Sequence, residues 1–268
     1  MRNKQKSPGK VNTEKNRKWR SVLGAFVPQY VPNRIVCSVM SLLSFLHKTS
    51  KKKREENRAY NVQKLETKVI PGLDMEAGVS AEVGGICFTP GKYVENQPQW
   101  KDIYFGKRSN MAYSGCEILA VYNGLLSLGE CVNGDELSEL ISIFERKGAV
   151  WAGLLGTAPR AIRKYFEKRG YAVSLCYARR QDVVNALGET SDTVLAMVYN
   201  DGQDIFKMIH TVNISKEKVT GKYVAHNCYK LNAQHQYISE GPFDSLWEAV
   251  HRMGQGKSEI VCVMGISK

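Results

Sequence analysis

No apolar run in this chain is long enough to cross a bilayer. The 13 residues Ile35–His47 fall well short of the ~20 that a spanning helix needs. There is no internal repeat and no Walker A phosphate loop, which excludes a repeat architecture and a P-loop nucleotide hydrolase. The 7 cysteines (Cys37, Cys87, Cys116, Cys131, Cys176, Cys228, Cys262) show neither a C-x-x-C pair nor a Cys/His spacing suited to zinc. Their odd number and scatter suit a reducing compartment and not a disulfide scaffold. No metal and no cofactor is therefore expected.

Charge of one sign is also missing from most of the chain. Residues 1–58 hold 15 Lys+Arg against 3 Asp+Glu, and the remainder holds 23 of each kind, so the whole net charge of +12 sits in the N-terminal fifth. That arm has a basic run up to Arg20, an apolar patch interrupted by Pro28 and Pro32, the run Ile35–His47, and the cluster Lys51–Arg54. Ser38, Ser41 and Ser44 recur every three residues, which on a helix makes a polar stripe among apolar residues. An interfacial helix lying on anionic lipid fits this pattern. A pro-segment packed on the globular domain, a targeting sequence, a nucleic-acid-binding arm and a solvated basic arm stand beside it as alternatives. The localisation expected is cytoplasmic, with peripheral membrane contact through the arm left open. Oligomeric state is not legible.

Residues 59–99 are rich in turn signals (Pro71-Gly72, Gly84-Gly85, Pro90-Gly91, Pro98) around short strand-like pieces such as Gly85–Thr89. From residue 100 onward the patterning predicts helices near Cys116–Leu128, Asp135–Lys147, Ala158–Arg169, Arg180–Leu187 and Phe243–Met253. It predicts strands near Tyr171–Cys176, Thr193–Tyr199, Phe206–Ile214, Lys222–Tyr229 and Glu259–Gly265, with a tight turn at Asn200–Gly202. Helices first and mostly antiparallel strands after them is an α+β pattern. The expected organisation is an arm over 1–58, a transitional segment over 59–99 and one domain over 100–268.

The segment Asn110–Gly124 carries the chemistry. Ser114 and Glu117 have the S-x-x-E spacing of a capping box, which predicts Ser114 at the N-cap and Cys116 in the first turn of an apolar helix. The unpaired N–H groups and dipole of a helix start favour a thiolate, and a thiolate attacks carbonyl carbon. A base would have to come from His47, His210, His226, His235 or His251. His210 lies in a strand-like run, and a hairpin pairing Ser215 with Lys222 gives residue pairs whose numbers add to 437. Asn227 then stands opposite His210, where its amide oxygen would orient the ring, while His226 points to the other face. His226 replaces His210 if the register differs. The bland readings are a small buried cysteine, a satisfied sheet histidine and a strand-end asparagine.

Cys116, His210 and Asn227 in that order resemble the papain-like cysteine peptidases, in the bacterial branch related to the double-glycine leader peptidases that mature bacteriocins. The family's cysteine opens a helix after a short polar segment, as Ser114-Gly115-Cys116 does. Its oxyanion-stabilising glutamine stands six residues earlier, where this chain has Asn110. Gly153–Val173 is similar to the family's second helix region leading into a strand. The resemblance covers Trp100 onward and implies a helical half carrying the Cys helix, packed on a sheet carrying His and Asn. It also implies a peptide or protein precursor as substrate. Two positions depart from the family: Asn110 is one methylene shorter than glutamine, and Glu117 stands where many relatives carry a small residue. A peptidase-like domain that binds peptide without cutting it, and a basic-tailed adaptor for membrane or nucleic acid, are the other readings.

Overall fold

The computed structural model describes residues 32–65, 88–177, 179–200, 209–252 and 259–268. The basic run up to Arg20, the patch around Pro28, the turn signals at 71–85, the turn at 201–202 and the ends of the elements expected at Phe206 and Met253 lie outside them. The described chain is α+β. Two helices, α1 (Asn33–Leu46) and α2 (Lys51–Leu65), come first. A two-stranded ribbon, β1 (Tyr104–Phe105) and β2 (Ser109–Asn110), leads into the short α3 (Met111–Ser114) and the apolar α4 (Cys116–Ser127). Helices α5 (Gly134–Lys147) and α6 (Pro159–Lys168), strand β3 (Ala172–Cys176) and helix α7 (Gln181–Glu189) follow. The remainder is β4 (Thr193–Tyr199), β5 (Ile209–Lys216), β6 (Tyr223–Leu231), β7 (Tyr237–Phe243), α8 (Leu246–Arg252) and β8 (Glu259–Ser267).

Strands β3 to β8 form one antiparallel sheet in the order β3-β8-β4-β5-β6-β7. Alternation sorts its side chains between two helical layers. Leu195, Met264 and Ile266 join the core around α4 and α5, and Val194, Ala196, Val198, Val212 and Ile214 join Val184, Leu246, Ala249 and Val250 beneath α7 and α8. Every residue of α4 from Cys116 to Leu125 is buried, so this helix is a core rod and not an amphipathic surface helix. That explains its apolar run in the sequence and fixes its first turn against β5.

Two elements differ from expectation for readable reasons. Strand β7 contains Gly241 and Pro242, which argue against a central strand; it is an edge strand, where proline is tolerated. Helix α2 was expected to be only a basic cluster, and the boundary drawn at Arg58 falls inside it. Its buried stripe, Asn57, Asn61 and Leu65, has helical spacing but is mostly amide, so no apolar periodicity marks it. Asn61 exchanges two hydrogen bonds with the Tyr104 backbone, both 2.9 Å. Asn57 Nδ2 donates to the Gly106 carbonyl (2.8 Å) and to Glu145 Oε1 (2.6 Å). Among the described residues no helix is long and apolar enough to cross a membrane.

Candidate functional site

The approach to Cys116 is built by two short elements. Asn110 caps α3, its Oδ1 accepting the Tyr113 N–H at 3.0 Å. Ser114 therefore lies inside α3, and its hydroxyl donates to the Gly153 carbonyl at 2.7 Å. The expected Ser114–Glu117 capping box does not form: Gly115 is the cap residue of α4, and Cys116 is its first residue, one position earlier than the box would give. Gly115 is required by close approach, because a Cβ there would sit 2.6 Å from the Met111 carbonyl oxygen.

The Cys116 thiol is not the activated one that the helix start suggests. Burial, and next the Glu117 carboxylate, push it well above its ordinary pKa, outweighing the backbone N–H groups of Thr211 and Glu117 that favour the thiolate. Its Sγ donates to Glu117 Oε2 at 3.3 Å and lies 4.0 Å from the Ile209 carbonyl oxygen. Glu117 is itself buried, lodged beside Gly156. Gly156 has φ +75, and a Cβ on it would meet Glu117 Oε1 at 2.3 Å. Gly156→Ala is expected to cost about 1–3 kcal/mol from backbone strain alone, and to displace the carboxylate from the thiol. Urea denaturation checks the first effect, and the pH midpoint of Cys116 alkylation checks the second.

His210 and Asn227 do meet, though not as the expected register has it. The ladder pairs Asn213 with His226 and Lys216 with Tyr223, so the paired numbers add to 439 and not 437. Pairing stops there because Asn227 turns into left-handed backbone, φ 64. Its main-chain carbonyl, not its side chain, takes the His210 Nε2 at 2.7 Å. A carbonyl only accepts, so Nε2 carries the hydrogen and Nδ1 is left as the basic nitrogen. The Asn227 Nδ2 instead donates to Gln97 Oε1 at 2.8 Å, and its Oδ1 is buried with no partner among the described residues. Burial lowers the His210 pKa to about 4, with the Asn227 carbonyl opposing. The Tyr229 ring stacks on the imidazole at 4.3 Å.

Among the described residues no hydrogen bond joins Cys116 to His210. Opposite Val198 in the ladder, His210 has the parity of Val212 and Ile214, whereas Asn213, which bonds Ser127 at the end of α4 (3.0 Å), has the other. The thiol reaches the backbone beside His210 and not its ring. As expected, His226 has the parity opposite to His210, opposite Asn213. Both its ring nitrogens are engaged, Nδ1 with Glu95 Oε1 at 2.7 Å and Nε2 with Ser215 Oγ at 2.9 Å, under a stacked Tyr93. The order Ser215–His226–Glu95 is that of a hydrolase triad. Ser215, however, is ladder-paired on both sides, to Thr193 and Val224, and its hydroxyl also lies against the Val224 carbonyl, an acceptor and not an oxyanion donor. The Glu95 carboxylate, on His226 and the Asn227 N–H, clamps segment 93–96 to β6.

Sequence reasoning missed Gln97. Fully buried, it donates through Nε2 to the carbonyls of Met111 (3.1 Å) and Ala112 (3.4 Å) and accepts on Oε1 from Asn227 and from the Tyr229 hydroxyl (3.1 Å). It staples the turn before Cys116 to β6, whose Asn227 carbonyl holds the His210 ring. No periodicity or motif announces it, since it stands in a turn-rich segment. Among the described residues no group of three or more His, Cys, Asp or Glu is arranged to hold a metal ion. No family model matches this chain, and no curated protein or solved structure is significantly similar to it.

Proposed function

We propose that Cys116 is the nucleophile of a papain-like cysteine peptidase acting on a peptide or protein precursor, and that the arrangement described is its resting, protonated form. The observation that carries this reading is the His210–Asn227 contact. It fixes the tautomer in which Nδ1 can accept a proton, on the strand whose preceding carbonyl already touches the Cys116 sulfur. His210 and Asn227 meet, and Gln97 ties the strand of Asn227 to the turn before Cys116.

In the reaction, Cys116 passes its proton to His210 Nδ1. The thiolate forms a C–S bond to the amide carbonyl carbon, and the oxyanion is met by the Cys116 N–H and by Asn110 Nδ2, the free end of a side chain whose oxygen is spent on Tyr113. The C–N bond then breaks as His210 returns the proton to the leaving amine. Water, deprotonated by His210, hydrolyses the thioester and restores the thiol. Asn227 acts as a positioning residue through its main chain.

A second reading has its own observation. The thiol is bonded to a carboxylate and, among the described residues, not to His210, whose imidazole burial holds neutral, which suits a peptidase-like domain that binds peptide without turnover. Labelling with a peptide-type thiol electrophile near neutral pH separates the two. The peptidase reading expects single-site labelling at Cys116 that falls at least about a hundredfold in His210→Ala. Slow labelling spread over several cysteines and indifferent to His210 would sink it.

A further inference from the structure

Helix α1 is apolar on two faces, and the protein uses only one. Val36, Cys37 and Met40 pack against Met197, Tyr199, Val261 and Cys262 of the sheet. Ile35, Val39, Leu42, Phe45 and Leu46, spaced as one helical stripe, remain 47 to 67% exposed. The serines between the faces spend their hydroxyls on the helix itself, Ser38 on the Arg34 carbonyl, Ser41 on Cys37 and Ser44 on Ser41, each at 2.8 Å. The polar stripe expected from their spacing is thus largely self-satisfied.

Beside this ridge runs a groove of about 1080 Å³ between α1, α5 and α6, with Leu42 and Phe45 on its lip. Its walls carry 8 cationic side chains and no carboxylate. Arg163 and Arg169 are paired from outside, to Glu167 and Glu130. Lys48, Arg146, Lys147, Arg160, Lys164 and Lys168 have no acidic partner among the described residues. The crowding is real enough that neighbouring Lys168 and Arg146 lower the Lys147 pKa.

From the exposed apolar ridge and the adjoining unpaired cations we infer that α1 and this groove form a docking surface for an anionic phospholipid bilayer, the ridge entering the interface and the groove receiving headgroup phosphates or carboxylates. Charge decides against the nearer occupants. Residues 1–31 carry 8 Lys+Arg and 1 Asp+Glu, so the chain's own first segment is repelled by the groove and adds to attraction for the bilayer. A second copy would bring the same cations face to face. Nucleic acid would satisfy the groove, but a stripe of five apolar residues, four of them aliphatic, gains nothing on a phosphate backbone. The surface uses none of the groups of the Cys116 site, so its failure leaves the peptidase reading untouched.

The test is sedimentation of the full chain with vesicles of phosphatidylcholine alone or mixed with phosphatidylserine. Binding is expected to the mixed vesicles only. Leu42→Ser with Phe45→Ser should weaken it at least about tenfold, and Lys164→Gln with Lys168→Gln should weaken it by roughly fivefold per lysine. All four side chains are at the surface, and an unchanged thermal melt confirms the fold. Wild-type retention of the ridge variant would overturn the proposal in favour of the N-terminal segment. Lysine variants that lose binding to double-stranded DNA but not to vesicles would overturn it in favour of nucleic acid.

Discussion

Glu117→Gln is expected to speed alkylation of Cys116 by at least about tenfold near neutral pH, because each unit of thiol pKa removed multiplies the thiolate fraction about tenfold. After burial, the Glu117 carboxylate is the strongest influence holding the thiol protonated. Glutamine keeps the shape beside Gly156, removes the charge, and offers an amide that can donate to a thiolate at the position where Oε2 now accepts from Sγ. The backbone N–H groups of Thr211 and Glu117 that favour the thiolate stay in place. The readout is the alkylation rate of Cys116 across pH, with Cys116→Ala as the blank. The reactive form should emerge at lower pH in the variant. A pH midpoint that does not move would mean that burial alone sets the thiol, and that Glu117 has no hold on the nucleophile.

The second large effect concerns the latch that holds α2. Glu145 is buried, accepts from the Gly106 N–H (2.6 Å) and Asn57 Nδ2 (2.6 Å) on Oε1, and has no partner on Oε2 among the described residues. Burial raises its pKa from 4.5 to about 7, the Asn57 and Gly106 bonds opposing. A folded-state pKa above the unfolded one means that the folded protein binds the proton more tightly. The stabilisation is therefore fully present below the unfolded value near 4.5 and is lost as pH rises through about 7. The whole swing is of the order of 3 kcal/mol. Glu145→Gln keeps an oxygen for both donors and cannot ionise. The variant should be more stable than wild type at about pH 8, and the two should converge below about pH 5. Urea unfolding at a series of pH values measures this. Parallel curves for the two proteins would show that Glu145 titrates as an ordinary carboxylate. The α2 helix is joined through Gly106 and Asn57 to the carboxylate, so its hydrogen exchange should follow the same pH course.

Some features of the site were legible because local chemistry and pattern decide them. The start of a helix at Cys116 follows from an apolar run preceded by small and polar residues, and the strand at His210 follows from β-branched neighbours. The meeting of His210 with Asn227 was readable from chain order once a hairpin was assumed. What failed was whatever depends on alternatives of similar local energy. Ser114 and Asn110 can each cap a helix, and the extra turn of α3, capped by Asn110, took up Ser114 and left Gly115 at the start of α4. A hairpin register off by two residues keeps every side chain on its expected face, so hydrophobic pattern cannot reject it. Only the left-handed turn at Asn227 decides which of its atoms meets the imidazole.

The sequence by itself determined the α+β order of elements, the apolar Cys116 helix, the antiparallel strands that follow it and the confinement of net charge to the N-terminal fifth, because these rest on periodicity and composition. Tertiary structure alone decided the protonation of the site. Burial of Cys116 and His210, and the placing of Glu117 against the thiol by Gly156, outweigh the helix start that the sequence displays. It also decided that α2 docks through asparagines and that α1 keeps an apolar face exposed. The free energy of a buried charge or an unused face depends on what other segments bring to it, and no local pattern records that.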